Sequence, residues 1–258
     1  MTMTRSLNIL LTGAGSGLGR GVAQILAAQG HALILADLKA DGLRETLALL
    51  GKDAERASTH VVDVTSSAQI KALFEKLGAG RVDVLINNAG LQHVSPLESF
   101  PEDRWDLLLD VMLKGSFLMT QAALPLMRKN NFGRIINIGS IHALIASPFK
   151  SAYVAAKHGL IGLSKVVALE AASADITINT ICPAYVRTPL VDAQIAAQAK
   201  SHGMSEDDVI NKIMLEPMPK KAFITIEEIA GAVDFLMSPA ARNITGQSIV
   251  MDGGWTAR

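Results

Sequence analysis

A tyrosine and a lysine four residues apart are the side chains of this sequence best suited to proton transfer. Tyr153 and Lys157 lie in the apolar stretch SAYVAAKHG, residues 151–159, whose pattern predicts a helix. At this spacing the phenol and the ammonium lie on one face of the helix, one turn apart. Such a pair is also compatible with ordinary exposed surface, but a nearby ammonium favours the phenolate and allows a tyrosine to act as a base.

Oxidation of an alcohol is a reaction that this pair can serve. A base must remove the hydroxyl proton while a hydride leaves, and tyrosine, with a pKa of about 10, is mostly protonated at neutral pH. Lowering that pKa to about 7 needs roughly 4 kcal/mol, which Lys157 and a positively charged cofactor ring can supply in a partly desolvated cleft. Ser140, at the end of a predicted strand, is the candidate donor to the substrate oxygen.

The elements that must position these residues alternate along the chain. Runs rich in Ile and Val predict strands at 7–12, 32–37, 60–64, 82–87, 133–139, 176–182 and 247–252. These runs lack strict alternation, which suits parallel strands covered on both faces. Longer amphipathic stretches predict helices at 17–29, 40–51, 66–79, 101–130, 151–173 and 225–238. The alternation predicts an α/β fold, a doubly wound parallel sheet of about seven strands with helices on both faces.

Residues 188–222 interrupt the alternation of strands and helices. The segment is polar and helical, contains Gly203 and ends in EPMPKK. Such an excursion between a strand and the last helix is typical of a lid over a ligand, although surface packing or a subunit contact also explains it. The remaining helix, 225–238, begins with a capping box formed by Thr225 and Glu228. Residues 1–258 are therefore predicted to form one catalytic domain, with 188–222 as a substrate lid.

A glycine-rich turn follows the first predicted strand and opens the first predicted helix. In LLTGAGSGLGRGVA, residues 10–23, Gly13, Gly17 and Gly19 have TGxxxGxG spacing. Glycines allow a tight turn and a close backbone approach to a pyrophosphate, while the helix N-terminus supplies N–H donors. The structural context favours phosphate binding over a turn without a ligand, and Ser16 and Leu18 of this turn are further candidate contacts.

Residues at the ends of the next predicted strands are candidates for the rest of a dinucleotide site. Asp37 ends the second strand, where a carboxylate accepts from the adenosine ribose hydroxyls and repels a 2′-phosphate, so NAD is preferred over NADP. Nearby Lys39 weakens that preference. Asp63, with Val64, is placed to meet the adenine, or else Asp63 only caps the next helix. The turn NNAG at 87–90 brings three further candidate contacts, Asn88, Ala89 and Gly90.

Composition excludes several classes of function. The chain has 258 residues, of which 49% are hydrophobic and 19% charged, so a large core is expected and disorder is not. The formal net charge is zero with no basic block, which argues against a nucleic-acid partner. One cysteine permits no intramolecular disulfide, and the apolar run before the glycines is too short for a signal or membrane segment. These features predict a soluble cytoplasmic protein without a metal site, since the histidines show no ligand spacing.

Four motifs in order resemble the short-chain dehydrogenase/reductase family over essentially the whole chain. They are TGxxxGxG, NNAG, the serine in INIGS and the YxxxK pair. The resemblance implies a single Rossmann-like domain, usually tetrameric, that transfers a hydride between a nicotinamide and a carbonyl or alcohol. It implies that Ser140, Tyr153 and Lys157 are catalytic, that Tyr153 and Lys157 also contact the cofactor, and that Thr188 contacts the nicotinamide carboxamide.

Two positions depart from the family pattern. The family commonly has an asparagine in the helix after NNAG that supports a proton-relay water chain, and LDVMLKGSF places Met112 there. A thioether cannot replace an amide in hydrogen bonding, so either the relay takes another route or proton exchange is slower. Ala184 stands where a glycine is usual after the proline, which matters little unless the position needs a positive φ.

Longer stretches narrow the resemblance to the bacterial D-3-hydroxybutyrate dehydrogenases. They are NNAGLQHVSPLE, SIHALIASPFKSAYVAAKHG, TPLVDAQI, MPKKAFIT and MDGGWTA. In that subfamily the substrate carboxylate is bound by two glutamines, a histidine and a lysine, which correspond here to Gln92, His142, Lys150 and Gln194. Each has an alternative as an ordinary loop or surface residue. A small anionic substrate needs such a cation and donors, whereas an uncharged steroid or a long acyl chain does not.

The sequence therefore predicts NAD-dependent, reversible oxidation of (R)-3-hydroxybutyrate to acetoacetate. Tyr185 and Trp255 are expected at the apolar end of the pocket. The alternatives are a related reductase acting on another hydroxy acid, a sugar or a 3-oxoacyl thioester, and a non-catalytic NAD-binding regulator, which Met112 suggests.

Overall fold

The computed structural model describes residues 6–78 and 80–257. Seven parallel strands form one sheet in the order β3-β2-β1-β4-β5-β6-β7. The strands are β1 Asn8–Thr12, β2 Ala32–Asp37, β3 Ala57–Val61, β4 Val84–Asn87, β5 Gly133–Ile138, β6 Ile176–Pro183 and β7 Ser248–Met251. The predicted doubly wound parallel sheet is confirmed.

Nine α-helices accompany the sheet in the described part of the chain. They are α1 Gly17–Ala28, α2 Ala40–Leu49, α3 Ser67–Leu77, α4 Glu102–Leu109, α5 Gly115–Lys129, α6 Ser151–Glu170, α7 Pro189–His202, α8 Glu206–Val209 and α9 Ile226–Met237. A π-helical turn, Asp110–Lys114, joins α4 to α5 without a break, as the single predicted helix at 101–130 implied. The last position of the predicted helix 66–79 and the first five residues of the chain lie outside the described residues.

The helices cover both faces of the sheet, as predicted. On one face α1, α2 and α9 pack against apolar strand side chains, with Leu26, Leu43 and Val233 fully buried. On the other face α3, α5 and α6 do the same, with Leu73 and Met119 buried. The predicted capping box begins α9: the Thr225 hydroxyl accepts from the Glu228 backbone N–H, and the Glu228 carboxylate accepts from Thr225 N–H.

The third strand lies three residues earlier than predicted. The apolar run HVVDV predicts a strand at 60–64, but β3 is Ala57–Val61. This strand is at the edge of the sheet and pairs only with β2, so its side chains are partly exposed and its sequence is polar. The valines that suggested a strand, Val62 and Val64, are buried beyond its end, where the chain turns towards α3.

Two helical stretches, Glu102–Lys129 and Ser151–Glu170, are long and apolar enough to cross a membrane by length and composition alone. Both lie against the sheet, where Met119 and Met127 of the first and Val167 and Ala168 of the second join the buried cluster. Packing in the fold therefore accounts for the buried face of each helix.

Candidate active site

The carboxyl ends of β1, β2, β4, β5 and β6 border one cleft of about 600 Å³. The chain leaves β1 towards β2 on one side and β4 leads to β5 on the other, so the cleft lies at the topological switch point of the sheet. Crevices at this point are the usual ligand sites of open α/β sheets. Every residue that the sequence suggested for cofactor or substrate contact lines this cleft: Gly13, Ser16, Gly17, Leu18, Gly19, Asp37, Asp63, Val64, Asn88, Ala89, Gly90, Gln92, Ser140, His142, Lys150, Tyr153, Lys157, Thr188 and Gln194.

The glycine turn between β1 and α1 has no room for a side chain at Gly13 or Gly19. Gly13 has φ +65°, and a Cβ on it would lie 2.9 Å from the Ala89 Cα. A Cβ on Gly19 would lie 2.1 Å from the carbonyl oxygen of Gly13. The N-cap of α1, Ser16, makes no side-chain capping bond, so the first N–H groups of the helix face the cleft without a side-chain acceptor from this cap. This geometry fits a bound phosphate.

Asp37 and Asp63 have different environments at the adjacent strand ends. The Asp37 carboxylate accepts from the backbone N–H groups of Gly15 and Lys39, both at 2.9 Å. These bonds hold the carboxylate at the rim of the glycine turn. Asp63 Oδ1 accepts from the backbone and hydroxyl of Thr65, while Ser66 is the residue that caps α3. The alternative role of Asp63 as only the cap of the next helix is therefore wrong, because Ser66 caps α3.

The NNAG turn is tied to the end of β1. The Asn88 amide donates to the carbonyl oxygens of Thr12 and Gly13, at 3.0 and 3.1 Å. The Thr12 hydroxyl accepts from the backbone N–H groups of Asn88 and Ala89. Asn88 thus holds the glycine turn in place, and its side chain is already engaged in the protein. Ala89 and Gly90 present backbone to the cleft.

Ser140, Tyr153 and Lys157 meet above the end of β5. Ser140 directly follows the strand and caps a short 3-10 turn, in which its hydroxyl accepts from the His142 backbone N–H at 3.1 Å. The Lys157 ammonium, only 5% exposed, donates to the Ile138 carbonyl at 2.6 Å and lies 5.6 Å from the centre of the Tyr153 ring. The predicted helix spacing therefore places the half-buried phenol beside the buried ammonium and serine in one corner of the cleft.

Burial dominates the proton affinities in this corner. It raises the pKa of Tyr153, and a hydrogen bond from Ser140 lowers it only in part. Burial also lowers the pKa of Lys157 to about 8. In the protein alone the phenol is thus neutral at pH 7, because desolvation of the phenolate is the largest influence on its pKa.

Four polar side chains from three parts of the chain lie beside this corner. Gln92 follows the NNAG turn, and its side-chain oxygen accepts from the His93 N–H. Lys150 immediately precedes α6, with its ammonium 5.8 Å from the centre of the Tyr185 ring. Gln194 reaches the cleft from α7. The arrangement provides one cation and several hydrogen-bond donors within a single pocket, which suits a small anion.

His142 is the fourth of these polar residues and is almost enclosed. Its ring makes edge contacts with Tyr153 and Trp255, at centroid distances of 6.0 and 6.3 Å. Burial first, and then the charges of Lys150 and His158, lower the pKa of His142 to about 4. The imidazole is therefore neutral at pH 7, and it can donate from one nitrogen while it accepts at the other.

The aromatic end of the pocket and one polar neighbour complete the site. Tyr185 and Trp255 stack with a centroid distance of 6.1 Å and an interplanar angle of 29°. Ser147, which no motif in the sequence indicates, has its hydroxyl 2.7 Å from His142 Nε2. A serine five residues after a histidine carries no pattern that would indicate this contact, because a turn of the loop brings the two together.

Met112 lies in the π-helical turn and lines the same cleft. It is 1% exposed and packs with Ala152, Ala156 and the Tyr153 ring. The wall of the cleft on this side of the phenol is therefore apolar. Ala184, the other departure from the family pattern, is not among the non-glycine residues with positive φ, which are Asn131, Phe149 and Lys221, so no backbone strain arises there.

Within residues 6–78 and 80–257, no group of three or more His, Cys, Asp or Glu side chains is arranged to hold a metal ion.

Comparisons with known proteins agree with this geometry. A family model described as enoyl-(acyl carrier protein) reductase, of the short-chain alcohol dehydrogenase type, matches residues 13–256. The chain is 45% identical to a D-beta-hydroxybutyrate dehydrogenase of Rhizobium meliloti over 96% of this chain and 98% of the relative. It is 41% identical to a D-beta-hydroxybutyrate dehydrogenase of Cupriavidus necator over 99% of this chain and the full length of the relative. A crystal structure of levodione reductase, 32% identical, superposes with a TM-score of 0.89 and covers 98% of this chain and 99% of that one.

Proposed function

Because this chain belongs to the short-chain dehydrogenase/reductase family, and is an oxidoreductase that uses a nicotinamide cofactor, we propose that it interconverts (R)-3-hydroxybutyrate and acetoacetate with NAD. One observation carries the choice of substrate. The pocket that holds the neutral phenol of Tyr153 also contains a partly buried lysine, a neutral histidine and two glutamines, which together suit a small carboxylate.

NAD rather than NADP is the proposed cofactor. Asp37 is held at the rim of the glycine turn by two backbone N–H groups, where it would accept from ribose hydroxyls and repel a 2′-phosphate. The glycine turn and the N-terminus of α1 would hold the pyrophosphate. Asp63 and Val64 would border the adenine, and Thr188 the carboxamide. When bound, the oxidised nicotinamide accepts the hydride and adds a positive charge to the cleft.

Tyr153 is the proposed general base, and Lys157 and Ser140 support it. Burial alone keeps the phenol protonated, so the added positive charge of the cofactor must offset desolvation before the phenolate can form. Ser140 would donate to the substrate oxygen and align it. Lys157, whose ammonium is anchored on the Ile138 carbonyl, would bind the nicotinamide ribose and stabilise the phenolate.

The substrate carboxylate would lie among Gln92, His142, Lys150 and Gln194. Lys150 would provide the charge, because the imidazole of His142 is neutral; both of its nitrogens face serine hydroxyls, so the ring would border the carboxylate. The stacked rings of Tyr185 and Trp255 would close the pocket on the methyl end of the acid and limit the length of its chain.

Residues 188–222 are proposed as a lid on a single catalytic domain. In this segment α7 and α8 form a small apolar cluster of their own, in which Ile195, Val209 and Met214 are buried. The cluster contacts Tyr185 and Phe223, whereas Leu215 and Met218 near the end of the segment are anchored in the main core, so α7 and α8 would be the part that moves and excludes water. A homotetramer in the cytoplasm remains the expectation from the sequence, with no nucleic-acid or membrane partner.

The carboxylate site is tested with Lys150→Ala. We expect KM for 3-hydroxybutyrate to rise roughly 10- to 100-fold, since a charge-assisted hydrogen bond contributes about 1.5–3 kcal/mol. Turnover of an uncharged secondary alcohol should change little. Lys165→Ala, which removes an exposed lysine of α6, is the matched control. An equal loss with the acid and with its methyl ester would exclude a carboxylate at Lys150.

The substrate itself is tested by NADH formation at about 340 nm with both enantiomers of the acid and both cofactors. We expect activity with the R enantiomer and NAD. Preference for a sugar, another hydroxy acid or a 3-oxoacyl thioester would identify a different reductase. Tight NAD binding without turnover of any of these compounds would indicate a non-catalytic regulator instead.

A further inference from the structure

A line of hydrogen-bonding groups leads from the phenol of Tyr153 towards the protein surface. Ser140 lines the cleft together with Tyr153, and its hydroxyl lies 3.4 Å from His142 Nδ1. His142 Nε2 lies 2.7 Å from the Ser147 hydroxyl. His142 is 5% exposed, whereas Ser147 is partly exposed and lies between the exposed residues Leu144 and Phe149.

An apolar cluster also packs against the Tyr153 ring. It contains the buried Met112 thioether and the methyl groups of Ala152 and Ala156. None of these groups can donate a proton. The Lys157 ammonium is directed to the Ile138 carbonyl.

We propose that Ser147 is the outer relay residue through which the proton of the oxidised alcohol leaves, along Tyr153, Ser140, His142 and Ser147. The inference rests on the proposed function, because it requires Tyr153 to be the base. It assigns a role in turnover to a residue that contacts neither substrate nor cofactor.

The proton balance of the proposed path is complete. The substrate hydroxyl gives its proton to the Tyr153 phenolate as the hydride leaves. The phenol then donates to Ser140, the Ser140 proton passes to His142 Nδ1, the Nε2 proton passes to Ser147, and Ser147 releases a proton to water. One proton leaves the protein for each alcohol oxidised, and rotation of the hydroxyls and exchange of the imidazole tautomer restore the starting state.

The protonation state of His142 suits a relay. A neutral imidazole has one donor and one acceptor nitrogen, and both are in contact with hydroxyls. The charged or titratable groups that face the ring are Lys150, His158 and the Tyr153 phenol, and the Lys150 ammonium opposes a long-lived imidazolium. The 3.4 Å contact between Ser140 and His142 is the longest link and must shorten during transfer.

The test compares proton release with NADH formation in Ser147→Ala. In a stopped-flow experiment with a pH indicator in weak buffer, the wild-type protein should release its proton together with NADH. In Ser147→Ala we expect NADH to form in the first turnover at the wild-type rate and proton release to lag at least about tenfold, with KM for the acid nearly unchanged. Small diffusible bases such as imidazole should shorten the lag.

Two matched variants separate a relay from a structural contact. Ser147→Thr keeps a hydroxyl and should keep synchronous release. Ser95→Ala removes a hydroxyl that bonds only to the carbonyls of Pro96 and Ser99, and should behave as the wild type. If Ser147→Ala raises KM but its proton and NADH still appear together, Ser147 only orients His142 and the relay is wrong.

A measurement on the protein without cofactor separates the loss of the Ser147 contact from misfolding of the variant. In ¹⁵N NMR of the protein alone, the Nε2 signal of His142 should shift in Ser147→Ala and not in Ser147→Thr or Ser95→Ala. An unchanged signal would overturn the proposal, because the outer link would then be absent. A wild-type protein that reduces NAD with another alcohol would refute the proposed substrate, and the same proton measurement with that alcohol would still decide on the relay.

Discussion

At the scale of single residues, the site depends on the balance between burial and charge. Burial raises the pKa of Tyr153 and lowers those of Lys157 and Lys150, so every group in this corner is driven towards its neutral form. The phenolate that the proposed mechanism needs is therefore disfavoured in the protein alone. Cofactor binding thus becomes a condition for the base to form, which would restrict proton abstraction to the loaded enzyme.

Replacement of Tyr153 by phenylalanine tests the base. Tyr153→Phe removes only the hydroxyl, so we expect turnover to fall by about 10² to 10⁴ while the Kd for NAD changes little. Steady-state kinetics and calorimetric titration with NAD measure the two quantities. A variant that retained most of the wild-type rate would show that another group accepts the proton.

His142 makes the folded protein sensitive to acid. Its pKa is lowered to about 4 in the fold from an ordinary value near 6.5, so the unfolded chain binds more protons between these values. Stability from this group is therefore complete above about pH 6.5 and declines as the pH falls. Between pH 7 and pH 5 the loss is about 2 kcal/mol. Urea unfolding at pH 7 and pH 5 measures the free energy of unfolding at each pH. Its decrease should be smaller by about this amount in His142→Gln than in the wild type. An equal decrease in both proteins would contradict the lowered pKa of His142.

At the scale of elements, the turns after the strands determine the positions of the site residues more than the strands themselves do. The strands carry residues to the edge of the sheet, and the glycine turn, the NNAG turn and the 3-10 turn after β5 then place them in the cleft. The π-helical turn between α4 and α5 places Met112 beside Tyr153. Short π-helical turns within α-helices are frequent at functional sites.

Gly19→Ala tests the packing of the glycine turn. The added Cβ would lie 2.1 Å from a backbone oxygen, which must move, so we expect a loss of about 1–3 kcal/mol in stability and at least about tenfold weaker NAD binding. Gly162→Ala in α6 is the control, since its Cβ meets nothing within 4 Å and should stabilise the helix by up to about 1 kcal/mol. Thermal unfolding measures the stability and titration with NAD measures the affinity. Similar values for the two variants would contradict the tight contact between position 19 and the Gly13 backbone.

At the scale of the whole molecule, apolar side chains remain exposed on the outer helices. Val166 and Leu169, one turn apart on α6, are 54% and 80% exposed, and Phe117 on α5 is 43% exposed. Exposed apolar surface of this kind is typical of subunit interfaces. It supports the expected homotetramer.

Leu169→Glu tests the assembly. A charge on this surface would have to be buried in an interface through α6, so we expect light scattering after gel filtration to show a smaller particle than the wild type. Leu49→Glu, at a 55% exposed leucine of α2, should leave the mass unchanged. A wild-type protein that is already monomeric at micromolar concentration would refute the tetramer.

Much of this architecture can be predicted from local patterns. Strand and helix positions follow from runs of apolar residues because burial of a sheet between helices demands them, and the cap of α9 follows from two residues. The edge strand β3 is the exception, since an exposed strand needs no apolar run. The placement of Tyr153 and Lys157 on one helix face could also be predicted from their spacing, because helix geometry is regular.

The amino-acid sequence by itself determined the fold class, the family and many of the residues that line the cleft, since these depend on short-range order and on which strand ends they follow. Only the tertiary structure decided that the phenol is neutral in the protein alone, that Met112 forms an apolar wall and that Ser147 contacts His142. Desolvation and loop contacts depend on which atoms surround a group in three dimensions, and residue spacing along the chain does not contain that information.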